Sequence, residues 1–259
     1  MSGESVALRL DDVGAASKQH ERHGELFGSS RLGSLGFLRR LPGIKRWGPY
    51  RELEAGEWER ILALLEGTAA RMTVAITAGW VEGDGRVVAF PKKFPDEAAA
   101  IREGVRRGRL EVANHGYTHC VLADGAFRPR WLSSNRAAHR EFRADVPERQ
   151  HGEHLARSQA ILEDYFATRV VTFVPPGNVF TRATAALAVT HGLRFLSCRN
   201  AAALGAVPGL TVVDGDRVVA LHDRDVVLGG VEALARVLAA RPAGAFTTVR
   251  ALGEAWRTG

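Results

Sequence analysis

Met72-Thr-Val-Ala-Ile76, then Pro95-Asp-Glu-Ala-Ala-Ala-Ile-Arg-Glu-Gly-Val-Arg-Arg107, then Leu110-Glu-Val-Ala113 is the stretch that decides the fold class. Its outer pieces are short and apolar, the pattern of strands buried on both faces of a parallel sheet. The piece between them begins on Pro95 and stops at Gly108, which are start and stop signals of a helix. Strand, helix and strand in that order make one parallel crossover unit. The alternation continues in both directions. Upstream, Val6-Ala-Leu-Arg-Leu10 reads as a first strand ending at Asp11-Asp12, and Trp58, Ile61, Leu62 and Leu65 keep helical spacing before Met72. Downstream, a helix through Leu155, Ile161, Leu162, Tyr165 and Phe166 leads to a strand Val170 to Val174, and a helix Arg182 to Thr190 leads to a strand Arg194 to Ser197. A strand Val218 to Leu221, a helix Val231 to Ala240, and a strand and helix within Ala245 to Trp256 close the chain. Strands alternating with helices mean an α/β fold with a parallel sheet. The expected architecture is one domain over residues 1–259, a distorted (β/α) barrel of about seven strands. The first βα turn lacks a Gly-x-Gly-x-x-Gly fingerprint, which speaks against a dinucleotide fold.

Polar residues fall repeatedly at the C-terminal ends of these strands, the rim on which such barrels build their active sites. Asp11-Asp12 ends the first; one carboxylate can bind a metal while its neighbour takes a proton from water. His115-Gly-Tyr-Thr-His119 follows Leu110 to Ala113, and two histidines four apart on a helical turn share one face, as two ligands of one divalent ion require. Asp12, His115 and His119 are the expected metal ligands, with a coordination position left open for water. Pro175-Pro176-Gly177-Asn178 follows the strand Val170 to Val174 and can present donors to an oxyanion, while Leu221-His222-Asp223 ends another strand and offers His222 as a proton donor, its tautomer set by Asp223 or another acid.

The order Asp11-Asp12, His115 to His119, Pro175-Pro176, Leu221-His222 resembles the polysaccharide deacetylases, the NodB-like carbohydrate esterases of family 4, over about Val6 to Trp256. Members with a His-Gly-Tyr-x-His motif are especially similar. The resemblance implies a metal-dependent hydrolase that removes an N-acetyl or other N-acyl group from an amino sugar or glycoconjugate. It implies Asp11 as base, His222 as acid, and one divalent ion on Asp12, His115 and His119, zinc first, with cobalt, nickel or manganese as alternatives. Tyr117, Pro176, Gly177, Asn178 and Trp131 are the expected substrate and oxyanion residues. Three positions depart from the family pattern. Gly116 replaces the usual Ser or Thr, Val174 stands where an arginine often steadies the base, and no Asp-Trp motif supports the late histidine near Cys198-Arg199-Asn200. A catalytically silent carbohydrate-binding barrel and a hydrolase of non-sugar amides are the alternative readings.

Composition sets bounds on partners. The chain has 259 residues, 46% hydrophobic and 25% charged, which is the make-up of a globular domain with a substantial core. The net charge of +6 suits an anionic partner such as a phosphorylated or lipid-linked sugar. The arginines are scattered and not striped, and no nucleic-acid module is present, so specific nucleic-acid binding is not expected. Cys120 and Cys198 read as two buried free thiols. No stretch approaches the roughly 20 apolar residues of a membrane span, and Met1 to Leu10 lacks a signal-peptide pattern, so the expected location is cytoplasmic. Two long excursions, 13–49 and 121–150, leave strand ends that carry site residues. They are expected over the pocket, offering Trp47, Phe127 and Trp131 to sugar rings and Arg128, Arg130 and Arg136 to an anionic group.

Overall fold

A computed structural model of the chain describes residues 5–20, 51–122, 135–199, 201 and 205–258. Its first strand, β1 (Val6–Val13), is buried along its whole length, because parallel partners flank it on both sides. On one side lies β2 (Met72–Ile76), with Arg9 opposite Thr73 and Leu10 opposite Val74. On the other lies β9 (Val218–His222), running from Ala7 opposite Val218 to Asp11 opposite His222. Beyond β2 come β5 (Leu110–Asn114), β6 (Thr172–Phe173), β7 (Phe195–Leu196) and β8 (Thr211–Val212), each parallel to the one before. These seven strands, in the order β9-β1-β2-β5-β6-β7-β8, form a curled half-barrel, and β10 (Phe246–Thr247) adds to the start of β1. The expected barrel is present. Among the described residues no ladder joins β8 to β9, so the sheet stays open there.

Period-two alternation divides the strand residues between two environments. Leu8, Leu10, Met72, Val74, Ile76, Leu110 and Val112 point outward and share one core with the helices. Those are α2 (Ala55–Gly67), which buries Trp58, Ile61, Leu62 and Leu65; α4 (Pro95–Arg106); and α5 (Glu148–Phe166). Gly104 lets α4 lie close, since a Cβ there would sit 2.6 Å from Leu62 and from Leu110. The inward set is small or polar. Ala75, Ala113 and Val174 cluster at mid-height, and Ala7, Phe195 and Val213 pack at the bottom against Val249 and Leu252 of α9 (Val249–Thr258). That apolar plug closes the lower end and leaves the polar interior open toward the strand C-termini.

Several elements differ from the expectation. An antiparallel hairpin, β3 (Gly79–Val81) with β4 (Val87–Ala89), follows β2 and packs Trp80 and Val81 with Ala16, Cys120 and Ala138. Runs of three residues are too short to show a period, which is why the hairpin, and β8 with it, escapes a pattern reading. The short helices α1 (Ser17–His20) and α3 (Phe90–Lys93) were likewise unmarked, whereas α6 (Arg182–Thr190) has the expected bounds and α8 (Glu232–Ala239) comes within a residue of them. A further helix, α7 (Asp223–Gly229), begins directly after His222. Cys120 and Cys198 are buried free thiols, as expected. Among the described residues no helix is long and apolar enough to cross a membrane.

Candidate active site

The site begins with β1. Arg9 and Asp11 are two apart and face the interior, where Arg9 Nε lies 2.7 Å from Asp11 Oδ1 and Nη2 donates to Oδ2 at 2.8 Å. Arg9 Nη1 also donates to the Ser197 carbonyl at 2.8 Å and to Ser197 Oγ at 2.7 Å. A guanidinium set against both oxygens, with one charge-assisted hydrogen bond, holds the carboxylate in place as well as offsetting its charge. Strict alternation would then turn Asp12 outward. It does not, because the β1–β2 ladder slips between Leu10 and Val13, and Asp12 takes φ 69°, a left-handed conformation that aspartate tolerates better than most residues. The strand runs one residue past the expected end at Asp11-Asp12, to Val13, and both carboxylates line one pocket.

His115 follows β5 directly. The segment to His119 is not the expected helical turn: the chain bends, with Gly116 at φ 80° and His119 at φ 57°. The ring centroids still lie 5.0 Å apart. What holds the bend is Glu141, a buried carboxylate that accepts from the backbone N–H groups of Tyr117 (2.9 Å), Thr118 (3.3 Å) and His119 (2.9 Å) and from His154 Nδ1 (2.5 Å). Gly116 is required here, as a Cβ would collide with that carboxylate.

Each imidazole is oriented by its far nitrogen. His115 Nδ1 donates to the Val174 carbonyl at 2.6 Å, and His119 Nδ1 lies 2.9 Å from Ser17 Oγ. The two Nε2 atoms face Asp12 Oδ1 at 3.2 and 3.4 Å. With Nδ1–H committed to a carbonyl, Nε2 of a neutral His115 is a lone pair set against a carboxylate oxygen. Two acceptors face each other there, and a cation between them resolves the conflict. His119 Nε2 is moreover buried and lacks a hydrogen-bond partner among the described residues. Among the described residues, Asp12, His115 and His119 are the group of His, Cys, Asp and Glu side chains whose ligand atoms converge, all within 4.8 Å. This donor set fits a divalent metal, and the bonds to Val174 and Ser17 are those that orient metal-binding imidazoles.

The opposite wall is the end of β9. The register that sets His222 beside Asp11 brings the histidine into the pocket. Its expected partner Asp223 points elsewhere, into a buried ion cluster with Lys18, and Lys18 also pairs with Glu52 at 2.8 Å and donates to the Asp12 carbonyl at 3.0 Å. The acid beside the ring is Asp225, with Oδ2 3.6 Å from Nδ1 and 2.8 Å from the His222 backbone N. Helix periodicity is the reason: His222 caps α7, so the residue three further on turns back toward it. Burial works against a charged His222, but Asp12, Asp225 and Asp11 outweigh it and hold the imidazolium pKa above its ordinary 6.5. Burial likewise opposes ionisation of Asp12, yet the charge of nearby His222 brings its carboxyl well below the usual range. Arg224 Nη1 stands 3.6 Å from Asp12 Oδ2.

Of the expected substrate residues, Gly177 and Asn178 line the pocket together with Pro175. Asn178 Oδ1 accepts from the Arg199 backbone N–H at 3.1 Å, and its own backbone N–H is bonded to Pro175. Its side-chain amide nitrogen is thus the group left to donate. Pro176 is buried beneath Gly116 and Tyr117 packs edge-on against His154, so neither is among the lining residues. Trp47, Phe127, Arg128, Arg130 and Trp131 lie outside the described residues. Pattern reading missed Arg9, Ser17, Glu141, Arg224 and Asp225. Arg9 carried a signal, its place two residues before Asp11 on the same strand face; Asp225 carried another, its spacing of three from a helix cap. Ser17 and Glu141 carried none, being set by contacts between distant segments.

No curated protein matches the sequence. Solved structures with a similar fold include a CE4 family pseudoenzyme from Bacillus anthracis, 13% identical with a TM-score of 0.49, over 77% of this chain and 61% of that one. The present chain thus spans about three fifths of that protein's length. A family 4 carbohydrate esterase from Streptomyces lividans, in complex with acetate, is 15% identical with a TM-score of 0.47, over 95% of this chain and 92% of that one. The Xyl-CE4 domain of a multidomain xylanase from the hindgut metagenome of Trinervitermes trinervoides is 15% identical with a TM-score of 0.49, over 98% and 92%. Residues 48–196, more than half of the sequence, match the model of the polysaccharide deacetylases, and the chain belongs to that family.

Proposed function

We propose that the chain is a metal-dependent hydrolase that removes an N-acetyl or other N-acyl group from an amino sugar or glycoconjugate. The observation that carries this reading is the convergence of Asp12, His115 and His119 beside a carboxylate held by Arg9 and a histidine in register with it. Those three residues would hold one divalent ion, zinc being the first choice for two imidazoles and a carboxylate. When bound, such an ion polarises an acyl carbonyl and lowers the pKa of water.

The remaining work falls to the chain's own groups. Asp11, held by a hydrogen bond and a close charge contact from Arg9, takes the proton from the attacking water. His222, whose protonated form is favoured by Asp12 and Asp225, gives a proton to the departing amine nitrogen. The Asn178 amide, at the mouth of the Pro175 turn, supplies a donor to the carbonyl oxygen as it gains charge. Arg9 takes the place of the arginine missing at Val174, so the base is steadied from its own strand. The test is acetate release from a panel of N-acetylated amino sugars by metal-loaded protein, with Asp11→Asn as control. Turnover that Asp11→Asn loses while keeping its metal supports the reading. Bound metal without release from any sugar or simple acetamide overturns it in favour of a binding barrel.

A further inference from the structure

Lys18 is a buried cation for which the proposed reaction has no use. Its side chain is 5% exposed, and its ammonium lies among oxygens from three separate segments. Nζ donates to the Asp12 main-chain carbonyl at 3.0 Å and to Asp223 Oδ2, and Glu52 Oε2 pairs with it at 2.8 Å. An ammonium has three N–H groups and no acceptor, so these oxygens occupy it and keep it from serving as a nucleophile or a substrate ligand. Each of them belongs to a part of the site. The Asp12 carbonyl is that of the residue at φ 69° whose carboxylate faces the two histidines, and it also accepts from the Ala15 N–H at 3.1 Å. Glu52 grips the same turn, accepting from the Gly14 N–H at 3.1 and 3.2 Å. Asp223 opens α7 directly after His222, and its Oδ1 accepts from the Arg224 N–H at 2.7 Å. Ser17, one residue before Lys18, faces His119 Nδ1.

Charges gathered this far from water add little to stability, because the cost of desolvating them rivals their attraction, and apolar side chains would fill the same space as well. What the contacts do fix is position. Resting on the deacetylase reading of this site, we propose that Lys18 is a positioning residue that holds the metal ligand Asp12 and the proton donor His222 in fixed relation, the first by its carbonyl and the second through Asp223. Its two arms have separable effects. The arm to Asp12 governs how that carboxylate meets His115 and His119, and so the affinity for a divalent ion. The arm to Asp223 governs where the His222 ring stands, and so the delivery of a proton to the leaving group, without touching the ligands.

The experiment compares Lys18→Met, Asp223→Ala and Asp223→Asn by two readouts. Zinc affinity is measured by chelator competition and needs no turnover. The second readout is the ratio of kcat/KM for N-acetylglucosamine to that for 4-nitrophenyl acetate on the zinc-loaded protein. An amine must be protonated to leave, whereas 4-nitrophenolate leaves without a proton, so the ratio follows the placement of His222. Lys18→Met should weaken zinc binding at least about tenfold, as for other residues that orient metal ligands, and lower the ratio by a similar factor. Asp223→Ala should lower the ratio equally and leave zinc affinity unaltered, and Asp223→Asn, which keeps an acceptor oxygen for Nζ, should restore the ratio. A role in stability alone predicts a lowered Tm with the ratio unchanged in all three variants. That result, or a loss of zinc affinity in Asp223→Ala, overturns the inference. If Lys18→Met does not fold, the two Asp223 variants decide through the same readouts. If the wild type releases no acetate from N-acetylglucosamine, the zinc affinities decide: weakening in Lys18→Met but not in Asp223→Ala upholds the inference, and any other pattern overturns it. Absence of deacetylation across all sugars defeats the deacetylase reading without altering that zinc test.

Discussion

Replacing Glu141 by alanine tests whether the metal-binding bend is a local habit of the sequence or is imposed from outside. The carboxylate accepts from three successive backbone N–H groups, at 2.9, 3.3 and 2.9 Å, and from His154. A buried donor left without a partner costs about 1–3 kcal/mol, so holding the bend unchanged in the variant would cost roughly 3–9 kcal/mol. That is comparable with the whole stability of a typical domain, about 5–15 kcal/mol. The bend will therefore relax rather than persist, and His119, at φ 57°, is the ligand with least reason to stay. The expected outcome is a loss of metal affinity by about 10–100-fold, as for other residues that orient metal ligands, with a lowered Tm. Glu141→Gln, which keeps one acceptor oxygen, should lie between the two. Affinity is read by competition with a chromophoric chelator and stability by thermal melting. An alanine variant with the wild-type metal Kd and Tm would show that Gly116 and its neighbours adopt the bend unaided, and the role given to Glu141 would fall.

His115→Ala and His119→Ala should each lose most of the divalent ion, measured by elemental analysis; unchanged stoichiometry in both would defeat the ligand assignment. His222→Ala should retain the ion and lose about 10²–10⁴-fold in kcat, the usual worth of a general acid, and a value within a few-fold of wild type would return His222 to an ordinary helix cap. Arg9→Leu leaves Asp11 a buried charge with its guanidinium partner removed, so we expect a destabilisation of about 3–5 kcal/mol in urea unfolding; a loss below about 1 kcal/mol would contradict the pairing. Glu111 sits on the inner face of β5 with Thr73 and Thr172, and burial raises its carboxyl above the ordinary 4.5 despite those bonds. Folding thus favours its protonated form, a contribution complete below pH about 4.5 and lost as pH rises through the folded value. Glu111→Gln removes that loss, so its Tm relative to wild type should rise between pH 4.5 and 7.5, whereas a constant offset would contradict the shift.

The fold was legible wherever local pattern and tertiary demand coincide. Met72 to Ile76 and Pro95 to Arg106 announce their elements through apolar runs and terminal signals, and both have nearly the expected bounds. Gly79 to Ala89 announces nothing, because its pairing partner rather than its composition makes it a hairpin. At the site, Asp11, Asp12, His115, His119 and His222 were recognisable by residue type at strand ends, and all five line one pocket. The reason first given for the histidine pair was incorrect. Their convergence comes from a bend stabilised by Glu141, which no spacing rule connects to His119.

The sequence by itself determined which residues could do chemistry and the parallel, alternating build that collects strand C-termini on one rim, because periodicity and turn signals act between near neighbours. Tertiary structure alone decided three further things. A slip in the β1–β2 ladder turned Asp12 to the same side as Asp11. The β1–β9 register set His222 opposite Asp11, and the start of α7 assigned it Asp225 while Lys18 took Asp223. Each is a choice among arrangements that are locally almost equal in energy. A one-residue shift of a strand keeps its backbone bonds but turns every side chain to the other face, so only the packing of the whole sheet against its helices and plug selects the register.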